Sequence, residues 1–142
     1  MTTFTTVLAR HDIECVNEAL ADIEVPVITG LPQRQGDVAI WPAAPATKAM
    51  ITQAALIGTD GIHVVRGESA GSNAHILDAD GPVYWTAYTG ADMLQLGSVH
   101  VPAGSIAWLI HTDEHGVNGI GPGTYRLTGK REMGEEARRV VD

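Results

Sequence analysis

The chain has 142 residues and a formal net charge of −8, from 9 Lys and Arg against 17 Asp and Glu. That length fits one domain with a core large enough to need no staples, and the acidic balance argues against a nucleic-acid groove or attachment to an anionic membrane surface. A single cysteine, Cys15, excludes an intrachain disulfide and a Cys-rich zinc module. No apolar run reaches the roughly 20 residues a membrane helix needs, and Met1 to Thr6, Thr-rich and uncharged, lacks the pattern of a secretory leader. The expected setting is the cytoplasm, or a virus particle assembled there.

Taken in chain order, Asp12 to Glu24 reads as a short helix. Ile13, Val16, Leu20 and Ile23 recur at helical spacing, Asp12 suits an N-cap and Pro26 stops the pattern. Cys15 falls within it as a small apolar residue. Residues 1–25 are thus expected to form an N-terminal arm and helix, and residues 26–142 a β domain. Gly30 to Gln35 reads as a turn. Gly36 to Pro42 follows as a half-buried strand, with Val38 and Ile40 facing inward. Ala43 to Ile57 is compatible with a helix ending at Gly58, and Met50 to Ile57 equally with a strand. From Gly61 the apolar period is two. Strands are expected at Ile62–Arg66, Ala74–Asp78, Val83–Tyr88, Met93–Val101, Ser105–His111 and Thr124–Arg131, separated by Gly and Pro turns. Short strands at that spacing predict a mostly β fold: a small sandwich, jelly roll or barrel with a short N-terminal helix. In the last strand, Pro122-Gly123 makes the turn, Tyr125 and Leu127 face inward, and Arg126 and Thr128 face out. Lys130, Arg131 and Glu132 would blunt the sheet edge, and Gly134 to Asp142 would add a turn or two of frayed helix.

Six histidines are present: His11, His63, His75, His100, His111 and His115. The densest stretch, His111-Thr112-Asp113-Glu114-His115, follows an apolar strand and precedes Gly116. The i, i+4 chelate that two such histidines make on a helix is therefore not expected. In Gly67 to His75, a Gly-rich turn feeds a strand on which Asn73 and His75 share a face. Gly67-Glu68-Ser69-Ala70-Gly71 matches Gly-x-Ser-x-Gly, but between short strands it lacks the strand–elbow–helix context of a hydrolase. A phosphate-binding Gly-rich loop ending in Lys-Ser/Thr is absent from the sequence.

Two resemblances bear on function. Gly67, five residues, then Asn73-Ala74-His75, with Asp80, the Pro102-Ala103-Gly104 turn and His111 downstream, resembles the paired motifs of cupins. Asn73 and Asp80 stand where that family has His and Glu. Because Asn is a poor transition-metal ligand, the resemblance implies a degraded metal site. The runs Gln35-Gly36-Asp37-Val38, Gly67-Glu68 with Gly71 and His75, Glu114-His115, Pro122-Gly123-Thr124-Tyr125 and Lys130-Arg131-Glu132 resemble, in order, a family of small uncharacterised bacterial and bacteriophage proteins. That likeness implies a shared fold and no particular activity.

The leading expectation is a non-enzymatic structural or binding protein that self-associates, in its specific form a phage capsid decoration or minor virion protein on a major capsid protein. It needs no cofactor and has no nucleic-acid or membrane partner. Candidate interface residues are Trp41, Trp85 and Trp108 with Ile13, Val16 and Leu20 of the N-terminal helix. Any of these aromatic anchors, like Tyr84, Tyr88 and Tyr125, belongs to the core if packed and marks an interface if exposed as a patch. The competing expectation is a cupin-like metal enzyme or small-molecule binder, with zinc or iron held by His75, His111 and His115 and by Glu68.

Overall fold

Strands of period two bury one face each, and here they do so against one another in two open sheets. The computed structural model describes residues 2–64, 75–92, 94–114 and 116–129. The five-stranded sheet runs β1 (Val27–Ile28), β10 (Gly116–Ile120), β9 (Ile106–His111), β6 (His75–Asp80), β5 (Ile62–His63). The six-stranded sheet runs β2 (Gln33–Gln35), β3 (Val38–Ala43), β11 (Gly123–Gly129), β8 (Gln95–Val101), β7 (Tyr84–Ala87), β4 (Ala55–Leu56). The β1–β10 pairing is parallel and the other strand pairs are antiparallel. The expected mostly β sandwich is what forms, without closure into a barrel.

The space between the sheets holds Val38 and Ile40 of β3, Leu77 of β6, Trp85 of β7, Val99 and Val101 of β8, Leu109 of β9, Ile120 of β10, and Tyr125 and Leu127 of β11. Tyr125 and Leu127 are buried while Arg126 is exposed, as the alternation predicts. The Tyr125 hydroxyl accepts from Gly30 N–H at 2.9 Å and donates to the Gly121 carbonyl at 3.0 Å. It thereby ties the turn before β2 to the turn before β11.

A second apolar layer covers the other face of the five-stranded sheet. Helix α1 (Phe4–Ala9) lays Phe4, Val7 and Leu8 against Ile76, Trp108, Ile110 and Val117, with Val25 completing the cluster. Thr3 caps α1, its hydroxyl accepting from Thr6 N–H at 3.2 Å. Just beyond the helix, Arg10 lies 2.9 Å from Asp80, and His11 Nε2 lies 3.0 Å from the buried Asp78.

The continuous helix expected over Asp12–Glu24 does not form. Asp12, the expected N-cap, adopts the left-handed φ +58° in place of the extended backbone a cap takes, and within this stretch Glu18–Ala21 (α2) alone is helical, capped by Asn17. The cause is tertiary. The chain must come back beside its own start, where Phe4 N–H donates to the Ile23 carbonyl and Val25 N–H to the Thr2 carbonyl, and a three-turn rod would overshoot that return. Four apolar residues at helical spacing do not stabilise so short a helix by themselves. The stripe therefore splits: Ile13 and Leu20 pack on the outer cluster, whereas Val16 and Ile23 are exposed.

The open choice over Ala43–Ile57 resolves into both alternatives in succession. Helix α3 (Lys48–Gln53), capped by the Thr47 hydroxyl, leads directly into β4. Gln33–Gln35, expected as turn, is strand β2. β10 was not expected at all, because Gly116 and Gly119 read as punctuation. Gly119 serves close packing instead: a Cβ there would collide with the Pro26 carbonyl oxygen and lie 3.0 Å from the Trp108 ring. The expected edge at Lys130–Glu132, the tail from Gly134 to Asp142, and the Gly67–Asn73 part of the Gly-rich element lie outside the described residues.

Candidate functional site

Three of the buried polar residues, Gln35, His75 and His111, gather at one end of the sandwich. In the β6–β9 register His75 lies directly opposite His111, and both belong to the inward set that includes Leu77 and Leu109. The two rings meet edge to face with centroids 4.6 Å apart. They are 6 % and 9 % exposed, so this is an interior pair.

The six-stranded sheet closes the pair from the other side. β2 and β3 are joined by the two residues Gly36-Asp37, with Gly36 at φ +53°, as a type II′ turn requires at its first central position. A Cβ on Gly36 would stand 3.1 Å from His111 Nε2, so the close approach of this turn to the imidazoles demands glycine. Immediately before it, Gln35 enters the interior. Its Nε2 donates to the Leu109 carbonyl at 2.6 Å and to Asn118 Oδ1 at 3.0 Å, leaving Oε1 to accept from His75 Nδ1 at 3.0 Å. Asn118 Nδ2 donates to Gln33 Oε1 at 3.1 Å, and Gln33 Nε2 to the Gly119 carbonyl at 3.1 Å. Four side chains from β2, β6 and β10, with the Leu109 carbonyl of β9, form one network in which each amide's donor and acceptor roles are fixed by its neighbours.

That network also fixes the tautomers. Gln35 Oε1 can only accept, so His75 carries its proton on Nδ1 and its lone pair on Nε2. His111 Nδ1 accepts from the Glu114 backbone N–H at 3.0 Å, so the neutral His111 ring carries its proton on Nε2. Burial, and next the neighbouring His111, lower the His75 pKa from 6.5 to about 4, against smaller opposing contributions from Asp37, Asp113 and Glu114. A neutral ring of that low basicity makes a poor general base near pH 7.

A proton-bearing Nδ1 tied to an amide oxygen is the arrangement that orients a metal-binding imidazole. The pair nevertheless does not fit a two-imidazole chelate through Nε2, because only His75 offers a lone pair there. Among the described residues, no group of three or more His, Cys, Asp or Glu is arranged to hold a metal ion. Glu68 and His115, the other members of the expected ligand set, lie outside the described residues, as does Asn73.

The candidate interface residues separate. Trp85 (8 % exposed) belongs to the core between the sheets and Trp108 (1 %) to the cluster under α1, its Nε1 donating to Asp80 Oδ2 at 3.1 Å. Trp41 is 41 % exposed on the outer face of the six-stranded sheet, where its Nε1 donates to the Thr128 hydroxyl at 3.1 Å. Register places Arg126 beside Trp41, then Ser98, then Thr86 across that face. Sequence reasoning named His75 and His111 but missed Gln33, Gln35 and Asn118. An amide earns no attention from its type alone, and the one available signal was the Gln-Gly-Asp turn.

Fold and site together define a small two-sheet sandwich sealed at one end by a buried His–Gln–Asn network. A family model described as a domain of unknown function (DUF8820) matches residues 34–130, which span β3 through β11 and the whole of that network except Gln33. The chain belongs to that family. No curated protein and no solved structure matches it. No helix among the described residues is long and apolar enough to cross a membrane.

Proposed function

We propose that this protein is a non-enzymatic structural or binding module that associates with further copies of itself through the outer face of its six-stranded sheet. The observation that carries this reading is that face. Trp41 stands 41 % exposed on it, with Leu56 of β4 at 62 % and Tyr88 beyond β7 at 38 % along its far margin. Large apolar groups around a polar centre of Arg126, Ser98 and Thr86 suit a contact that is apolar in part and hydrogen-bonded in part. The interior histidine network supports the same reading from the other side, since its amides are committed to internal bonds and its most perturbed ring is a weak base.

The finer form of the proposal is a decoration or minor protein of a virus particle, seated on the major capsid protein. Its support is the resemblance to bacterial and bacteriophage proteins and the net charge of −8, which favours solubility at the high local concentration of an assembly. Sedimentation of the purified chain over a concentration series, with and without the Trp41→Asp change, tests the association. Oligomers that dissociate in the variant are expected, and a wild-type chain that stays monomeric at every concentration overturns it. The competing metal reading on His75, His111, His115 and Glu68 is tested separately by zinc and iron(II) titration, with no stoichiometric uptake expected.

A further inference from the structure

Across the open part of the six-stranded sheet, β11, β8 and β7 set Arg126, Ser98 and Thr86 opposite one another, so their side chains stand in one row on the outer face. Beside that row lies a cavity of about 330 Å³, at the small end of the range for small-molecule sites. Arg126, Ser98, Thr86 and Gln95 line it from the sheet, and Tyr88 and Thr89 from the loop after β7. Arg126, Thr86, Tyr88 and Thr89 are exposed and Gln95 and Ser98 half-buried, so a molecule in the cavity meets these groups directly.

Among the lining residues Arg126 alone carries a charge. Its guanidinium stays protonated in proteins and presents a rigid fork of N–H donors. The chain holds 17 Asp and Glu against 9 Lys and Arg, so an arginine without an acid beside it stands out. Among the described residues the ion pairs are made by Arg10 and His11, and Arg126 has none. The acid nearest in sequence to the loop, Asp92, instead turns its Oδ1 to the Leu94 N–H at 3.0 Å. The Thr86 hydroxyl is engaged by His100 Nε2 at 3.1 Å, which leaves the hydroxyls of Ser98 and Thr89 to donate into the cavity beside the guanidinium.

We infer that this cavity is a binding site for a small free monocarboxylate with a compact ring, of the arylcarboxylate class, held by the guanidinium of Arg126. The two carboxylate oxygens match the fork of Arg126, and a hydroxyl from Ser98 or Thr89 donates to a remaining lone pair. The ring of the ligand packs on Tyr88 and Ala87 at the other side of the cavity. One charge is the right number: a single guanidinium neutralises it, and the net charge of −8 on the chain opposes a second. The cavity shares the face proposed for contact between copies, but the inference does not rest on that reading, because every lining residue belongs to one chain.

The test is a titration of the full chain with benzoate, followed by the Nε–H resonance of Arg126 and the backbone amides of Ser98 and Thr89. Saturable shifts are expected there, and larger at Arg126 than at Arg34, an exposed arginine that does not line the cavity. Affinity should fall about tenfold or more in Arg126→Gln, the scale of one hydrogen bond to a charged group. Benzamide, of the same shape without the charge, should bind as weakly to the unaltered chain, which keeps the test independent of any variant. Phenyl phosphate, with a second charge, should bind no tighter than benzoate. Absence of saturable shifts, equal shifts at Arg34, undiminished binding by Arg126→Gln or of benzamide, or tighter binding of phenyl phosphate each overturns the assignment. Sedimentation of the same samples separates the site from the contact between copies: association without benzoate binding overturns the site alone, and benzoate binding to a monomeric chain upholds it without the contact.

Discussion

Gln35 illustrates how much one buried amide can organise. It satisfies the Leu109 carbonyl, orients Asn118 and sets the tautomer of His75 at once. Replacing it by Leu keeps the volume but strands at least one buried donor and one acceptor, at about 1–3 kcal/mol for each unsatisfied group. Gln35→Leu should therefore lose about 2–3 kcal/mol in urea unfolding, and a loss under 0.5 kcal/mol, about the scale of an ordinary surface substitution, would show that the network is dispensable. The histidines add a pH dependence of definite sign. His75 binds a proton with pKa about 4 in the folded chain against 6.5 when unperturbed, so the unfolded chain takes up more protons as pH falls below 6.5. Its contribution is fully present above pH 6.5 and is lost toward pH 4, and His100, also lowered by burial, acts in the same direction. Between pH 6.5 and 5, above most carboxylate titration, stability should fall on the order of 1–2 kcal/mol. His75→Gln should flatten that slope without abolishing it, as stability curves measured at each pH would reveal.

At the scale of elements, α1 is the part whose existence depends most on its neighbours. Six residues rich in Thr do not make a stable helix alone. This one is held because Val7 and Leu8, both fully buried, cover Trp108 and Ile110 on the back of the five-stranded sheet. Leu8→Ala should cost about 2–4 kcal/mol through lost burial and a residual cavity, read from the shift in denaturant midpoint. Arg10→Ala should cost much less, about 0–1 kcal/mol, because Arg10 and its nearer partner Asp80 are 31 % and 38 % exposed. The opposite ranking would mean that the ion pairs, and not the apolar layer, hold the amino-terminal segment in place. The same tertiary demand explains why the apolar stripe from Ile13 to Ile23 misled: its spacing was helical, but the chain had to return beside Thr2 and Phe4.

Among the described residues the two outer faces of the sandwich are unlike. The five-stranded sheet is covered by α1 and the segment up to Val25, whereas the six-stranded sheet leaves Trp41, Thr86 and Arg126 open beyond the edge of α3. A sheet face left partly open is one through which copies of a small β domain can stack. Trp41→Asp should leave the unfolding free energy within about 0.5 kcal/mol, as befits an exposed site, while weakening association at least tenfold. Equilibrium sedimentation paired with urea unfolding reads both quantities on one sample. Loss of association together with a large loss of stability would instead assign Trp41 to the fold.

The amino-acid order alone determined the β class, the inward face of the last strand and the candidacy of His75 and His111, because alternation and residue chemistry are local properties. Only the tertiary structure decided that those imidazoles, 36 positions apart, face each other across β6 and β9, since strand register has no signature within either strand. It decided also that Gly119 lies within a strand and not in a turn: what forbids a side chain there is the Pro26 carbonyl and the Trp108 ring, which only the folded chain brings to it. The hydrogen bonds of Gln35 belong to the same class of fact. A hydrogen bond made or left unmade in the interior depends on what the rest of the chain carries to that point.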